Sequence, residues 1–175
     1  MKKLLIIMIT MGVAIGCEET HCPAFPVELM GYYPYSTGDL LWFMNHNGDI
    51  LEFKVANSSF TDSYSYAWNC KCACGADGGF ETEMENTYSL KIQSTINIYE
   101  NGEATLHCTF NNAWQNSDFF EIPPQYSSSL NEIFDEVIIM EKEEYNRIGK
   151  VKIVKGKGIV EFWDKEQNCN WVKVE

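Results

Sequence analysis

Basic residues are scarce: 13 Lys and Arg stand against 25 Asp and Glu, for a net charge of −12. A nucleic-acid binder needs a basic face to meet phosphates, so this balance argues against one. Runs of about 18–20 apolar residues, the length of a membrane-crossing helix, are absent. Histidine is rare, with His21, His46 and His107 making up the whole set. The G-x-S-x-G elbow, H-E-x-x-H and the phosphate loop are missing. Gly156-Lys-Gly158 lacks the third glycine and the following helix of a dinucleotide site. Asn45-His46-Asn47-Gly48-Asp49 lacks the spacing and downstream bidentate Glu of a calcium loop, and reads as a turn. Glu83 and Glu85 have the residue types of a glycosidase pair, but among 25 acids such a pair arises by chance. No catalytic residue, metal or cofactor is assigned, and the chain leans away from an enzyme.

What is present is an ordinary globular composition. Of 175 residues, 45% are hydrophobic, 14% aromatic and 22% charged. That suffices for one domain with a core and is too apolar for a disordered chain. Lys2 and Lys3 precede an apolar stretch, Leu4 to Val13, and then Ala14-Ile15-Gly16-Cys17. This is the pattern of a secretory signal with small residues before a cysteine.

Beyond it the strand signals follow closely. Leu40-Leu-Trp-Phe-Met44 is apolar at every position. Leu51, Phe53 and Val55 alternate with Glu52 and Lys54, as in a half-buried strand. Tyr64, Tyr66, Trp68, Cys70, Cys72 and Cys74 share one parity, so a single strand over 64–74 places three aromatics and three cysteines on one face. Ile92, Ile96 and Ile98 lead through Asn101-Gly102 to Ala104, Leu106, Cys108 and Phe110, which reads as a hairpin. Residues 130–138 fit both a capped helix and a strand. Residues 150–163 read as a strand pair or one bent strand, with a phase slip near Val154 that suggests a bulge. Val172 and Val174 close the final strand. The expectation is an all-β antiparallel meander forming a β-sandwich or an open or half barrel, with little or no helix after the signal. Tyr32, Tyr33, Tyr35, Trp114 and Tyr126 are either core residues or exposed stacking surfaces, with the core favoured.

Six cysteines remain besides Cys17: Cys22, Cys70, Cys72, Cys74, Cys108 and Cys169. In an exported chain an even number points to disulfides, with 15 possible pairings. Same-face strand neighbours lie roughly 6.5–7 Å apart at Cα, at or beyond disulfide reach. Each of Cys70, Cys72 and Cys74 is therefore expected to pair with Cys22, Cys108 or Cys169, which leaves six pairings. The rival is a thiolate metal site at Cys70–Cys74 completed by Cys108 or His107, although zinc motifs favour C-x₂₋₄-C spacing.

Ala14-Ile15-Gly16-Cys17 resembles a bacterial lipobox. The resemblance implies cleavage before Cys17, lipidation of its thiol and an outer-membrane anchor, on the periplasmic side or at the cell surface. Glu18-Glu19 resembles the surface-export signal of Bacteroidota lipoproteins, or is a plain solvated tether. Phe134-Asp-Glu-Val137, Lys155-Gly-Lys-Gly158-Ile-Val160-Glu-Phe162 and Trp171 resemble the C-terminal third of small uncharacterised Bacteroidota lipoproteins. Cys22-Pro23-Ala24-Phe25-Pro26 and Gly38-Asp39 resemble their start. That likeness implies an all-β secreted domain and tips 133–140 towards strand. The expected organisation is a signal peptide over 1–16, a tether over 17–24 and one domain over 25–175. The expected partners are a membrane, through the lipid on Cys17, and an unknown protein or glycan ligand. The expected role is a binding module; the alternative is a barrel carrying an apolar ligand.

Overall fold

The computed structural model describes residues 24–68, 71–83, 90–99, 101–112, 117–126, 133–142 and 147–174. Its described elements are a short 3-10 helix, Val27–Tyr32, and ten strands: β1 (Leu40–Met44), β2 (Ile50–Trp68), β3 (Lys71–Thr82), β4 (Leu90–Tyr99), β5 (Glu103–Asn112), β6 (Ser117–Tyr126), β7 (Val137–Glu141), β8 (Ile148–Val154), β9 (Gly158–Asp164) and β10 (Cys169–Val174). The chain is all-β, as its alternating sequence implies. The strands form one antiparallel sheet in the order β6-β5-β4-β3-β2-β1-β10-β9-β8-β7. Sequence neighbours pair throughout except β6 and β7, which form the two edges. The first and last strands pair instead, Trp42 opposite Val174 and Met44 opposite Val172. The result is a nearly closed barrel with one seam, between β6 and β7.

Ring contacts show how far the sheet curls. Phe110 on β5 and Phe162 on β9 stand far apart in the strand order, yet their ring centroids are 5.2 Å apart. Phe162 also meets Phe43 at 5.1 Å, Phe53 at 6.3 Å and Trp171 at 6.3 Å. Phe110 meets Phe120 at 6.3 Å. All six rings are buried. Their centroid separations lie in the range aromatic pairs favour, tilted or edge-on for the most part. They fill the barrel at this level.

The upper end is closed by the segment before β1. Phe25, Leu29, Tyr32, Tyr33 and Tyr35 are all buried, so the tyrosines are core and not stacking surfaces. Tyr33 and Tyr35 pack on Phe80 at 5.3 and 4.6 Å. Tyr35 Oη accepts a hydrogen bond from the Ile159 amide at 2.7 Å, and the Tyr32 hydroxyl donates to the Phe134 carbonyl at 2.7 Å. A Cβ at Gly78 would stand 2.6 Å from Phe25 Cζ. That glycine is the notch that lets the segment lie flat on β3.

Several expectations are corrected. The run 64–74 is not one strand. The chain reverses after Trp68, which pairs with Lys71. Cys72 and Cys74 stand opposite Ala67 and Ser65, so the aromatics and cysteines of this run belong to two paired strands. The strand expected over 133–140 starts at Val137; Ile133 and Phe134 precede it as irregular, buried residues. The phase slip near Val154 comes from a hairpin turn over 155–157. The accompanying irregularity lies on β9, where Lys152 faces Glu161 and Ile153 faces Ile159. Asn101-Gly102 does end a hairpin, with Gly102 at φ +80° and its amide donating to the Tyr99 carbonyl at 3.0 Å. The 45–49 cluster is a turn: Asn45 Oδ1 accepts the amides of Asn47 and Asp49, both at 2.9 Å.

Candidate binding surface

Residues 1–23, with the lipobox-like sequence, Cys17, His21 and Cys22, lie outside the described residues, as do Cys70, Glu85 and Trp114. Cys108 and Cys169 are described, and both are free and buried. The expected bridges from Cys72 or Cys74 to Cys108 do not form. Cys108 pairs in register with Ser94, and Ser94 with Phe80. Cys74 is six residues from Phe80 along β3, roughly 20 Å at ~3.3 Å per residue. β3 is also two strands away, roughly 10 Å more across the sheet, and a disulfide needs Cα atoms within about 7 Å. Cys169 starts β10 at the opposite end of the barrel, beside Asn45 and Asp164. Alternation marked Cys108 as inward-facing correctly; cysteine parity alone could not show that the register separates it from Cys72 and Cys74.

Ser94 is the polar hub of the interior. Its hydroxyl is hydrogen-bonded to Tyr33 Oη at 2.6 Å and to the His107 carbonyl. One hydroxyl hydrogen cannot serve two acceptors, so with Ser94 donating to the carbonyl, Tyr33 donates to Ser94. Burial pushes the Cys108 thiol up to about 12, partly offset by its hydrogen bond with Ser94. Burial raises Tyr33 well above its ordinary value. These groups stay neutral and serve packing. His107 is partly covered: its ring lies 5.2 Å from that of Phe119 and its Nε2 is 2.9 Å from Thr105 Oγ1. Among the described residues no group of three or more His, Cys, Asp or Glu side chains is arranged to hold a metal ion. Glu83 is engaged by Lys54 at 2.7 Å.

The lower end carries a buried ion pair. Arg147 Nε and one of its terminal nitrogens donate to Asp164 Oδ2 at 2.9 and 2.8 Å. Asp164 Oδ1 accepts the amides of Glu166 and Gln167 at 3.0 and 3.1 Å. Both carboxylate oxygens are thereby occupied, and Asp164 is fully buried. The arrangement fixes the β9–β10 turn and presents no open coordination position.

Two outer features remain for recognition. The first is an apolar face where Leu40, Trp42, Met44, Ile50 and Val172 are each at least 37% exposed. The five-residue apolar run at β1 thus splits: Leu41 and Phe43 go in, and the alternating three stay out. The second is the seam. At its lower end Asp118 Oδ2 on β6 accepts the Ile148 amide of β8 at 2.8 Å, and the Lys142 ammonium sits 5.7 Å from the Phe119 ring centroid. Above this pin the edges part around a groove of about 310 Å³, lined by Ile122 and Gln125 of β6, Ile133 to Asp135, and Val137 to Ile139. Pro123 and Pro124 stand on β6 beside it and have no amide to offer. They also coincide with a bulge, Ala104 facing Gln125 while Leu106 faces Ile122.

The edge of β7 is open towards this groove. Lys142 donates to the Gly149 carbonyl, and Lys155 donates to that of Glu136. The β7–β8 register is unbroken, with Val137 opposite Val154 and Glu141 opposite Lys150. Antiparallel bonding alternates, so residues 136, 138, 140 and 142 bond to β8. Val137, Ile139 and Glu141 turn their N–H and C=O groups to the seam, where no described strand pairs with them. Comparison of the chain with family models, curated proteins and solved structures gives no match.

Proposed function

We propose that the chain is a lipid-anchored recognition module. Cys17 carries the lipid and holds the barrel at the outer membrane, on its periplasmic side or at the cell surface, where the barrel's outer surface meets a protein or glycan. The observation that carries this reading is the aromatic filling. Phe43, Phe53, Phe110, Phe120, Phe162 and Trp171 occupy the level where a barrel of this type would hold an apolar cargo. The tyrosine-rich segment caps the end above them. A carrier needs room inside; a scaffold that binds outside needs a rigid interior. The lipobox-like Ala14-Ile15-Gly16-Cys17 supplies the support for anchoring, and Phe25, buried on β3, fits a short tether before the domain.

The test uses the full chain expressed with its N-terminal sequence in a Gram-negative host. Radiolabelled palmitate should enter the wild type and not Cys17→Ala, which should leave the membrane fraction. Native mass spectrometry of the detergent-extracted protein should show no co-purifying apolar molecule. Equal labelling of both forms contradicts the anchor. A stoichiometric lipid-like passenger that survives the Cys17→Ala change contradicts the outer-surface reading.

A further inference from the structure

We infer that Trp163 is the stacking platform of an oligosaccharide site on the lower outer face of the barrel, and that its ligand is a neutral chain of pyranose sugars. This inference rests on the outer-surface reading above and names the site and the ligand class.

The strand register builds the site. Phe162 and Asp164 of β9 are buried, so alternation turns Trp163 outward. It stands opposite Asn170 of β10 and Lys150 of β8, and Lys150 stands opposite Glu141 of β7. Lys150 joins this row through a bulge. Ile148 faces Asp164 and Lys150 faces Trp163, with Gly149 the extra residue. Without it, alternation from the buried Ile148 would turn residue 150 inward. The bulge also has to be small: a Cβ at Gly149 would stand 2.4 Å from Lys165 Cε and 3.1 Å from Trp163 Cδ1. Lys150, Trp163 and Asn170 thus cross three strands, a row of roughly 10 Å at the strand spacing.

Three observations assign the ligand class. First, a depression lies on each side of the indole, and Trp163 and Asn170 line both. One, of about 350 Å³, includes Glu141, Gly149 and Lys150; the other, of about 380 Å³, includes His46, Asn168 and the Met44–Val172 border of the outer apolar face. Each is in the size range of small-ligand sites, and together they make a groove that an extended chain can follow. Second, the lining matches a sugar. A pyranose has apolar C–H faces and a rim of hydroxyls, so it asks for an aromatic plane edged by polar groups. The exposed amides of Asn168 and Asn170 each offer donors and an acceptor. Lys150 adds donors and Glu141 acceptors, and their charges, 3.4 Å apart, offset each other. The Lys165 ammonium is held on the Lys142 carbonyl at 2.9 Å. The row is therefore polar without net charge, which suits a neutral chain. Trp42 is the contrast: its indole N–H donates to Glu52 at 2.7 Å, and apolar Leu40 and Met44 flank it along β1. Third, the platform is rigid. The buried Asp164 fixes the β9–β10 turn by accepting the Glu166 and Gln167 amides. Asn168 in that turn is held at φ +50°, a conformation asparagine tolerates. Little ordering is needed on binding.

The experiment is an NMR titration of the indole N–H signals of the full chain, extracted in a detergent without a sugar headgroup. The probes are cellotetraose and xylotetraose, neutral chains whose equatorial hydroxyls leave flat apolar faces; tetragalacturonate is the charged comparison. The expected result is a saturable shift of the Trp163 signal by a neutral probe at or below about 10 mM. Trp163→Ala should weaken binding at least about tenfold, and Trp163→Phe, which keeps a ring, by no more than about threefold. Asn170→Ala should weaken it at least about threefold. These positions lie outside the core, so the fold is kept. Trp42→Ala should leave the affinity unchanged. Four results overturn the inference: no saturable shift with either neutral probe at about 10 mM, equal binding by Trp163→Ala, equal weakening by Trp42→Ala, or tetragalacturonate binding at least about tenfold more tightly at low salt only. The third would mean that the apolar face captures the probe, and the fourth that charge and not stacking does. Each of these leaves the outer-surface reading standing if native mass spectrometry of the same sample shows no cargo. An apolar passenger inside the barrel contradicts that reading whatever the sugar titration gives.

Discussion

Replacing Phe162 by alanine tests how solidly the barrel is filled. The ring is fully buried and has four aromatic neighbours, with centroids between 5.1 and 6.3 Å away. Removing it leaves a void of roughly 100 Å³, which at about 24 cal/mol per Å³ costs about 2.4 kcal/mol. The lost transfer of apolar surface adds about 2 kcal/mol. The sum, about 4–5 kcal/mol, lies at the upper end of measured Phe→Ala changes, as expected for a ring in several favourable pairs. For a domain of this size that corresponds to a fall in Tm of about 8–20 °C. Urea denaturation followed by tryptophan fluorescence measures it, with the slope expected to stay constant. Ile50→Ala, on the outer face at 60% exposure, is the control and should change stability by no more than about 0.5 kcal/mol. A loss below about 1.5 kcal/mol for Phe162→Ala would refute the reasoning. It would mean that the rings line a space that already yields, as a carrier's interior does.

Arg147→Ala should destabilise by about 3–5 kcal/mol in the same assay, because it strands a buried Asp164 carboxylate; a change under 1 kcal/mol would show the pair to be solvated. Asp118 is held above the ordinary carboxylate range by burial, a rise only partly offset by its hydrogen bonds from the Ile148 and Arg147 amides and by the Arg147 charge. The folded state therefore binds this proton more tightly than the unfolded chain does. The sign follows: Asp118's contribution is fully present below about pH 4, the unfolded value, and is lost as pH rises through the raised folded value. Asp118→Asn should flatten that part of the stability–pH curve, measured by thermal melts from pH 3 to 7; an unchanged curve would contradict the assignment. Cys108 and Cys169, buried and raised by that burial, should resist iodoacetamide at pH 8 in the folded protein and react in urea, as mass spectrometry of the two peptides would show. Rapid alkylation of Cys108 without denaturant would mean the interior opens.

Much of the barrel is legible in the sequence where alternation is clean. Leu51, Phe53 and Val55 face in as their spacing implies, and the Ile92–Phe110 hairpin turns at Asn101-Gly102. Legibility fails where one pattern has two physical origins. The odd–even rhythm of 64–74 runs through a chain reversal that pairs positions of opposite sequence parity, Trp68 standing opposite Lys71. Cysteine parity was thus read on the wrong geometry, and the register separates Cys72 and Cys74 from Cys108. Gly78 looks like a terminator but is a site of close approach for Phe25. Ile133 and Phe134 carry strand-like residues, yet seal the seam as irregular backbone whose Phe134 carbonyl is held by Tyr32. The seam itself is a property of how two distant edges meet. Its one local trace is Pro123-Pro124, which cannot serve a central strand.

The most direct measurement of the central claim is uptake of a small apolar fluorophore, N-phenyl-1-naphthylamine, by the folded full chain in the Cys17→Ala form, with Phe162→Ala alongside. The account predicts no stoichiometric binding to the parent and uptake only once the Phe162 ring has been removed and a dry cavity opened. One-to-one binding to the parent that raises its Tm would contradict it, and would make the barrel a carrier.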